Sequence, residues 1–378
     1  MLPPIFGDFM KIKQVSWRGF GIPFKNPYST AQISATIRYG LLIFLRASDG
    51  TTGVGEASPI GSGSVAEITS AGKYLEKFSV TLLNQELSSS SDVDLVNNSE
   101  IPPTIRFGIE TALVDLLGKL LGYNVNKDMI SATPALPVNA LIASVSPKQA
   151  ALEAKLAFEA GFETIKLKVG QGTIKQDEAL VAGVRNMVPS DVKIRIDANQ
   201  AWNIDESIKR LNKLSSYDIE YVEDPVTPDC LEDMHRLKQS VSVSIAVDEP
   251  LANRSHESIL KIAENADIIV IKAGRLGGIK PSLKIMQLVR NLGKEVVVTS
   301  SLESGVGVTA SAHLCANLGE HNFAHGLGTT PLLASDLLSA AASPWQGNFI
   351  MPTGPGLGIS IDGGLLEKFS LGPQGKVT

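Results

Sequence analysis

Hydrophobic and polar positions alternate through residues 11–60. KIKQVSWRGFGIPF and ATIRYGLLIFLRASDG each read as an antiparallel strand, and TTGVGEASP as a third, because side chains two apart share a face and turn residues separate the runs. The period then lengthens to that of a helix over Ser64–Leu83 and again over Thr104–Leu121. In the second helix Ile105, Ile109, Ala112, Leu113, Leu116 and Leu120 form one apolar stripe. Ser88–Pro103 is a polar loop between them. Strands followed by helices predict an α+β domain that ends near Asn126.

From Leu136 the pattern changes to strand-like and helix-like runs in alternation. VNALIA precedes a helix over Pro147–Ala160, ETIKLKVG one over Ile174–Met187, VKIRIDAN one over Ile204–Leu214, and IEYVEDP one over Cys230–Gln239. VSIAVDEP precedes Ser255–Glu264, ADIIVIKAG precedes Ile279–Leu292, and EVVVTSS precedes Val306–Ala316. A short strand around Phe323–Gly328 follows. Seven βα units and a closing strand predict a parallel barrel or sheet. The tail PTGPGLGISIDGG is rich in Gly and Pro, and we expect it to run back across the first domain. The division expected is residues 1–130, 131–340 and 341–378.

The strands end in charge at near-equal steps. Lys168, Asp197, Glu223, Asp248 and Lys272 are separated by 29, 26, 25 and 24 residues. Barrel enzymes keep their chemistry at the C-terminal ends of strands, so five residues distant in sequence should meet in one site. In ETIKLKVG, Lys166 and Lys168 share a face, whereas parallel strands are usually apolar on both faces. An Asp before a turn is ordinarily a cap or turn residue. Three successive strands ending in acids, however, set three carboxylates side by side, where they repel. A bound cation resolves the conflict, and hard oxygen ligands without His or Cys point to Mg2+, with Mn2+ as the second choice. A substrate on that ion would have Lys168 on one side and Lys272 on the other.

Composition narrows the function. The chain has 378 residues, 43% hydrophobic and 19% charged, with a net charge of −5. That suits a barrel plus a second domain and disfavours nucleic-acid binding. Cys230 and Cys315 form neither a metal pair nor a disulfide framework. No apolar run reaches the roughly 18 residues of a membrane span, and no secretory signal is recognisable, so a cytoplasmic protein is expected. Oligomeric state is not legible. Gly274–Gly278 and Gly354–Gly358 lack the Lys-Ser/Thr of a phosphate loop and read as turns. The five histidines read as structural, with His325 nearest the site, and Trp202 either lines the pocket or packs.

A lysine base must be neutral, and a free amine with pKa near 10.4 is so in only about one molecule in 2,500 at pH 7. Lowering that pKa by roughly 3 units requires about 4 kcal/mol of differential stabilisation. A metal, burial and a neighbouring cation such as Lys166 all act in that direction. The metal also favours loss of a proton next to a substrate carboxylate.

The order Lys-x-Lys, Asp-x-Asn, Glu-Asp-Pro, Asp-Glu and Lys on successive strands resembles the enolase superfamily, muconate-lactonising subgroup, over nearly the whole chain. The resemblance implies an α/β fold: a modified TIM barrel, (β/α)7β, with an α+β N-terminal capping domain completed by the C-terminal tail through GPGLGISID. It also implies that Asp197, Glu223 and Asp248 bind Mg2+, that Lys168 and Lys272 are the acid/base pair, and that Asn199 and Glu249 stand behind them. Loops near Ile22–Thr30 and Ala57–Ser62 would be the lid.

Within the subgroup, Ser300-Ser301-Leu302-Glu303-Ser304-Gly305 and His325-Gly326-Leu327-Gly328-Thr329-Thr330 resemble the o-succinylbenzoate synthase family. Dipeptide epimerases usually carry Asp-x-Asp where this chain has Gly326-Leu327-Gly328. Ser300, Ser301, Glu303, Gly305 and Gly326 are therefore candidate contacts for a small-molecule substrate with a carboxylate tail. The implied reaction is a Mg2+-dependent dehydration in menaquinone synthesis, catalysed by a carbon–oxygen lyase. N-succinylamino-acid racemisation needs the same five residues and is the alternative. A non-catalytic binding protein is a remoter one, disfavoured by the intact set.

Overall fold

The computed structural model describes residues 10–29, 34–59, 64–87, 100–125, 135–227, 231–252, 254–316, 318–319 and 321–378. The N-terminal part comprises β1 (Met10–Ser29), β2 (Ser34–Ala47), β3 (Thr52–Ala57), α1 (Val65–Leu82), β4 (Glu86–Leu87) and α2 (Pro103–Leu121). The barrel part begins with β5 (Ala135–Pro137), β6 (Ala140–Ile142), α3 (Pro147–Glu159), β7 (Thr164–Lys168), α4 (Ile174–Arg185), β8 (Lys193–Asp197) and α5 (Ile204–Leu214). It continues with β9 (Ile219–Glu223), α6 (Leu231–Ser240), β10 (Ser244–Val247), α7 (His256–Glu264), β11 (Ile268–Ile271) and α8 (Ala273–Leu276). Then come α9 (Ile279–Asn291), β12 (Glu295–Val298) and α10 (Gly305–Cys315), and last β13 (Asn348–Ile350), α11 (Gly363–Lys368) and β14 (Ser370–Val377).

Strands β6 to β12 form one seven-stranded parallel sheet in sequence order. Every residue of β7 and β11 is buried, as expected for strands covered on both faces. The outward set, including Ile165, Leu167, Ile194, Ile196, Val222, Ile245 and Ile269, packs against the helix ring in the largest core cluster. The inward set includes Tyr221, Ala246, Ile268, Val270 and Val297, with Phe323 against them. Chemistry-bearing side chains share this inward face, because strand side chains alternate.

The expected last strand is shorter than its sequence suggests. Among the described residues, only His325 and Gly326 bridge the ends of the sheet, to Val138 on one side and Thr299 on the other. Backbone bonds from His325 N to Pro137 O (2.7 Å) and from Gly326 N to Val298 O (2.9 Å) close the ring. His325 adds a side-chain bond, its Nδ1 accepting from Val298 N at 3.1 Å. The fold is thus a (β/α)7β barrel in which two residues make the final seam.

The cap is an antiparallel sheet in the order β14-β1-β2-β3. Leu41, Ile43 and Leu45 face α1 and α2, while Leu42 faces a cluster with Phe20, Val54 and Val306 of α10. Both faces of the sheet are therefore covered. Helix α2 approaches β3 closely because Gly53 and Gly55 carry no side chain: a Cβ at Gly55 would stand 1.9 Å from Gly108 O. The tail docks on α2 where Asp115 Oδ1 accepts from Leu357 N at 2.9 Å, and β14 then pairs with β1. β14 was not expected as a strand; it contains Pro373 and two glycines, which suit only an edge strand.

The first expected lid loop is largely strand. Pairing of β1 with β2 continues to Ser29↔Ser34, with an irregularity between Pro23 and Tyr28. Thr30 and residues 60–62 of the two expected loops, Cys230 and the expected boundary at 126–131 lie outside the described residues. Among the described residues, no helix is long and apolar enough to cross a membrane.

Candidate active site

Parallel pairing sets Lys168 beside Asp197 and Asp197 beside Glu223. Asp248 follows the last residue of β10, and Lys272 the last residue of β11. The backbone turns sharply here: Asn199 and Asp224 have φ of 45° and 44°. Such left-handed non-glycine residues are uncommon and concentrate at functional sites.

The five spaced residues come together. Lys168 Nζ donates to Asp197 Oδ2 (2.7 Å) and to Asn199 Oδ1 (2.9 Å). Lys166 Nζ lies 2.9 Å from that same Asp197 oxygen and 2.6 Å from Glu223 Oε2. Lys272 pairs with Asp248 and lies 3.5 Å from Glu249 Oε1. Arg275, which the sequence reading overlooked, pairs with Glu249.

These contacts govern the charges. Burial pushes the Asp197 carboxyl up, but Lys166 and Lys168 outweigh it and hold it well below the usual carboxylate range. Burial, only partly offset by Lys166, pushes Glu223 up to about 7. Burial favours neutral Lys166 and Lys272. Asp197 and Glu223 around Lys166, and Asp248 and Glu223 around Lys272, nevertheless hold both amines well above the ordinary lysine range. With carboxylates as the nearest counter-charges, the ammonium form prevails.

Glu223 Oε2 and Asp248 Oδ2 are buried and meet their lysines without hydrogen-bond geometry. Buried oxygens left so are poorly satisfied by ammonium groups and suit a cation, and every donor in the set is a hard carboxylate oxygen. Among the described residues the acidic oxygens that converge belong to a different group: Asp224, Asp248 and Glu249 bring one oxygen each within 4.8 Å of one another. Asp224, however, accepts backbone N–H bonds from Asp248 (3.0 Å) and Glu249 (2.9 Å), and so clamps the end of β10. Glu249 is engaged by Arg275 and Lys272. Asp197, Glu223 and Asp248, the set expected from the sequence, are each paired with a lysine here, and they are the residues that could hold a divalent ion.

One cavity lies over these residues. Its floor includes Lys166, Lys168, Asp197, Asn199, Glu249 and Lys272, and its barrel wall includes Thr299, Ser300, Ser301 and Gly326. Phe24, Tyr28, Ile37 and Arg38 of the cap close it from above. Phe24 and Tyr28 stack with ring centroids 5.6 Å apart. Their place at an irregular strand end gave no periodic signal.

Two candidate contacts stand elsewhere. Glu303 turns back to accept from Ser301 N at 2.5 Å. Gly305 donates its N–H to Asp336 Oδ1 at 2.8 Å, and a Cβ there would stand 2.3 Å from Asp336 Oδ2. Neither lines the cavity; both shape the turn that presents Ser300 and Ser301. Ser301 Oγ is buried without a protein partner. Trp202 packs beneath Arg210, whose guanidinium carbon lies 5.3 Å from the ring, rather than lining the cavity. Cys315 is a buried free thiol.

A parallel barrel with carboxylates and lysines alternating at its strand ends, closed by a sheet-and-helix cap, defines an enolase-type barrel enzyme. Residues 149–365 match the family model described as enolase C-terminal domain-like. The chain belongs to this family and, with the muconate-lactonising enzymes, to the enolase superfamily, whose members carry out lyase, isomerase and epimerase reactions and bind Mg2+. It is similar to an L-Ala-D/L-Glu epimerase of Bacillus subtilis, at 28% identity over 93% of this chain and 97% of that one. It is also similar to an o-succinylbenzoate synthase of Thermobifida fusca, at 33% identity over 56% of this chain and 65% of that one. A solved muconate lactonizing enzyme from Pseudomonas fluorescens, complexed with muconolactone, superposes with a TM-score of 0.88 at 25% identity, covering 96% and 100%.

Proposed function

We propose that the protein is an o-succinylbenzoate synthase. It would dehydrate 2-succinyl-6-hydroxy-2,4-cyclohexadiene-1-carboxylate to o-succinylbenzoate and water. The observation that carries this over dipeptide epimerisation is the closing seam. Dipeptide epimerases usually carry a carboxylate there to hold an α-ammonium group. A Cβ at Gly326 would stand 2.1 Å from Thr299 Oγ1, and one at Gly328 would stand 2.6 Å from Asn139 O. No aspartate side chain fits at either position. The cavity lining also holds Lys166, Lys168, Lys272, Arg38 and Arg275 against Asp197 and Glu249, a balance that suits an anionic substrate.

Asp197, Glu223 and Asp248 would hold Mg2+, which when bound supplies positive charge to the substrate carboxylate as its α-proton leaves. Lys168 takes that proton and returns it to the departing hydroxyl on the same face, releasing water. Asn199 orients Lys168 through the 2.9 Å bond to its Nζ. Lys272 remains an ammonium and stabilises the developing negative charge. Ser300 and Ser301 line the cavity wall, where they would meet the substrate's succinyl end.

Racemisation of N-succinyl amino acids is the second reading, because Lys168 and Lys272 both line the cavity and could exchange protons from two sides. The test is Mg2+-dependent turnover of the cyclohexadiene substrate, followed by ultraviolet absorbance. Lys272→Arg keeps the charge and loses easy proton transfer, so it should retain measurable dehydration while abolishing racemisation. Wild-type racemisation without dehydration would overturn the synthase reading, and full racemisation by the Arg variant would overturn the two-lysine mechanism.

A further inference from the structure

Two glutamates of the cap are buried on the N-termini of successive barrel helices, next to the two segments that face the substrate. Glu110 of α2 accepts from Lys280 N at 2.8 Å, at the start of α9. One turn earlier on α2, Arg106 donates to Gly277 O (2.6 Å) and Leu276 O (3.1 Å), at the end of α8. The pair therefore places a positive group on the carbonyl end of one helix, with the favourable sign, and a carboxyl acceptor on the amide end of the next, where burial pushes its pKa up to about 7. Gly277 and Gly278 make room for it, since a Cβ at Gly278 would stand 1.5 Å from Glu110 Oε2. Lys272 is the N-cap of helix α8, and its carbonyl accepts from Arg275 N and Leu276 N.

Glu56 of β3 does the same at α10. Its Oε1 accepts from Ser304 N (2.9 Å) and its Oε2 from Ser304 Oγ (2.6 Å) and Gly307 N (3.0 Å). The segment just before, Ser300–Leu302, is cavity wall, and Arg38 of β2 donates to Leu302 O at 2.9 Å. Glu56 is fully buried, and no polar atom of it faces the cavity. Core packing alone does not require a charged residue here, because buried carboxylates are costly unless hydrogen-bonded.

We propose that these are positioning residues through which the cap sets two separate parts of the site: Glu110 with Arg106 fixes the segment that carries Lys272, and Glu56 fixes the Ser300–Leu302 wall. The assignment rests on the reading of Lys272 as a residue of the reaction. The two clamps act on different elements, so their loss separates kinetically. Loosening α8 misplaces a group that acts in the transition state and lowers kcat. Loosening the wall weakens substrate binding and raises KM.

The test compares Glu110→Gln, Glu110→Ala, Arg106→Lys and Glu56→Gln by hydrogen–deuterium exchange and steady-state kinetics. The Gln variants keep an acceptor oxygen and so guard against loss of the fold. Glu110→Ala should speed exchange in residues 273–285 by about ten-fold, with residues 300–311 unchanged, because a lost cap opens its own helix end. Its kcat should fall by about ten-fold with KM within about two-fold, and Glu110→Gln should recover part of that loss. Arg106→Lys should give a smaller change of the same kind. Glu56→Gln should speed exchange in residues 300–311 and raise KM while kcat changes little. Exchange unchanged at both helix ends, or the same kcat and KM pattern from both glutamates, overturns the proposal. Should the wild-type protein turn over no carboxylate, the reaction assignment falls, and the exchange measurement still decides whether the clamps exist.

Discussion

Replacing Asp115 by Ala removes one carboxylate that joins three parts of the chain. Asp115 is fully buried on α2. Its Oδ2 accepts from Val54 N of β3 at 2.9 Å and from Lys119 Nζ at 2.7 Å, and its Oδ1 accepts from Leu357 N of the tail at 2.9 Å. The substitution leaves two buried backbone donors without an acceptor, and such groups cost about 1–3 kcal/mol each. Lys119 is about a quarter exposed and also reaches Thr52 O at 3.1 Å, so its charge is served without Asp115. Against the loss stands the desolvation of the carboxylate itself. Burial is the largest influence on Asp115 and pushes its pKa up despite Lys119 and the two N–H donors. The net expectation is a destabilisation of about 3 kcal/mol. Asp115→Asn keeps one acceptor oxygen and should lose less. The assay is urea unfolding followed by far-ultraviolet circular dichroism, with both transition midpoint and slope compared. A loss below about 1 kcal/mol for the Ala variant would refute the claim that these two donors depend on Asp115.

Burial lowers the pKa of His313 to about 4 and that of His325 to about 3. The unfolded chain therefore binds more protons than the native state below about pH 6.5, and stability falls as the pH drops from there toward 4. For His313 alone the loss should reach about 2 kcal/mol by about pH 5. His313→Gln should flatten the fall in urea midpoint between about pH 7 and pH 5; an unchanged slope would count against a buried neutral imidazole. Gly326→Ala should destabilise by about 1–3 kcal/mol through overpacking on Thr299, read as a lower thermal midpoint, and an unchanged midpoint would mean that the closing seam yields.

Much of the architecture was legible because it follows from local periodicity. β10 to β12 each contain a short apolar run that must be covered on both faces, β7 to β9 carry apolar residues at intervals broken by charge, and the helices between them show a 3.6-residue stripe. The final seam was legible only as a short run, because whether two residues suffice to close a ring depends on both neighbouring strands. β14 was illegible: an edge strand carrying Pro373 needs only one partner and so carries little pattern of its own.

The site divides in the same way. The sequence by itself determined that Lys168, Asp197, Glu223, Asp248 and Lys272 end successive strands. In a parallel barrel that order is enough to bring them together, because strand ends share one rim. Only the tertiary structure decided how their charges divide. Spacing does not reveal that Lys166 and Lys168 rest on one oxygen of Asp197, nor that Asp224 turns away to clamp two backbone amides. The resemblance put a lid near Ile22–Thr30, but only the fold shows that Phe24 and Tyr28 of that segment, with Arg38, roof the cavity, and that Glu303 and Gly305 shape a turn instead of lining it. Proton affinities and contacts of this kind depend on distances across a few ångströms between segments far apart in the chain, and such distances are set by packing, not by the order of residues.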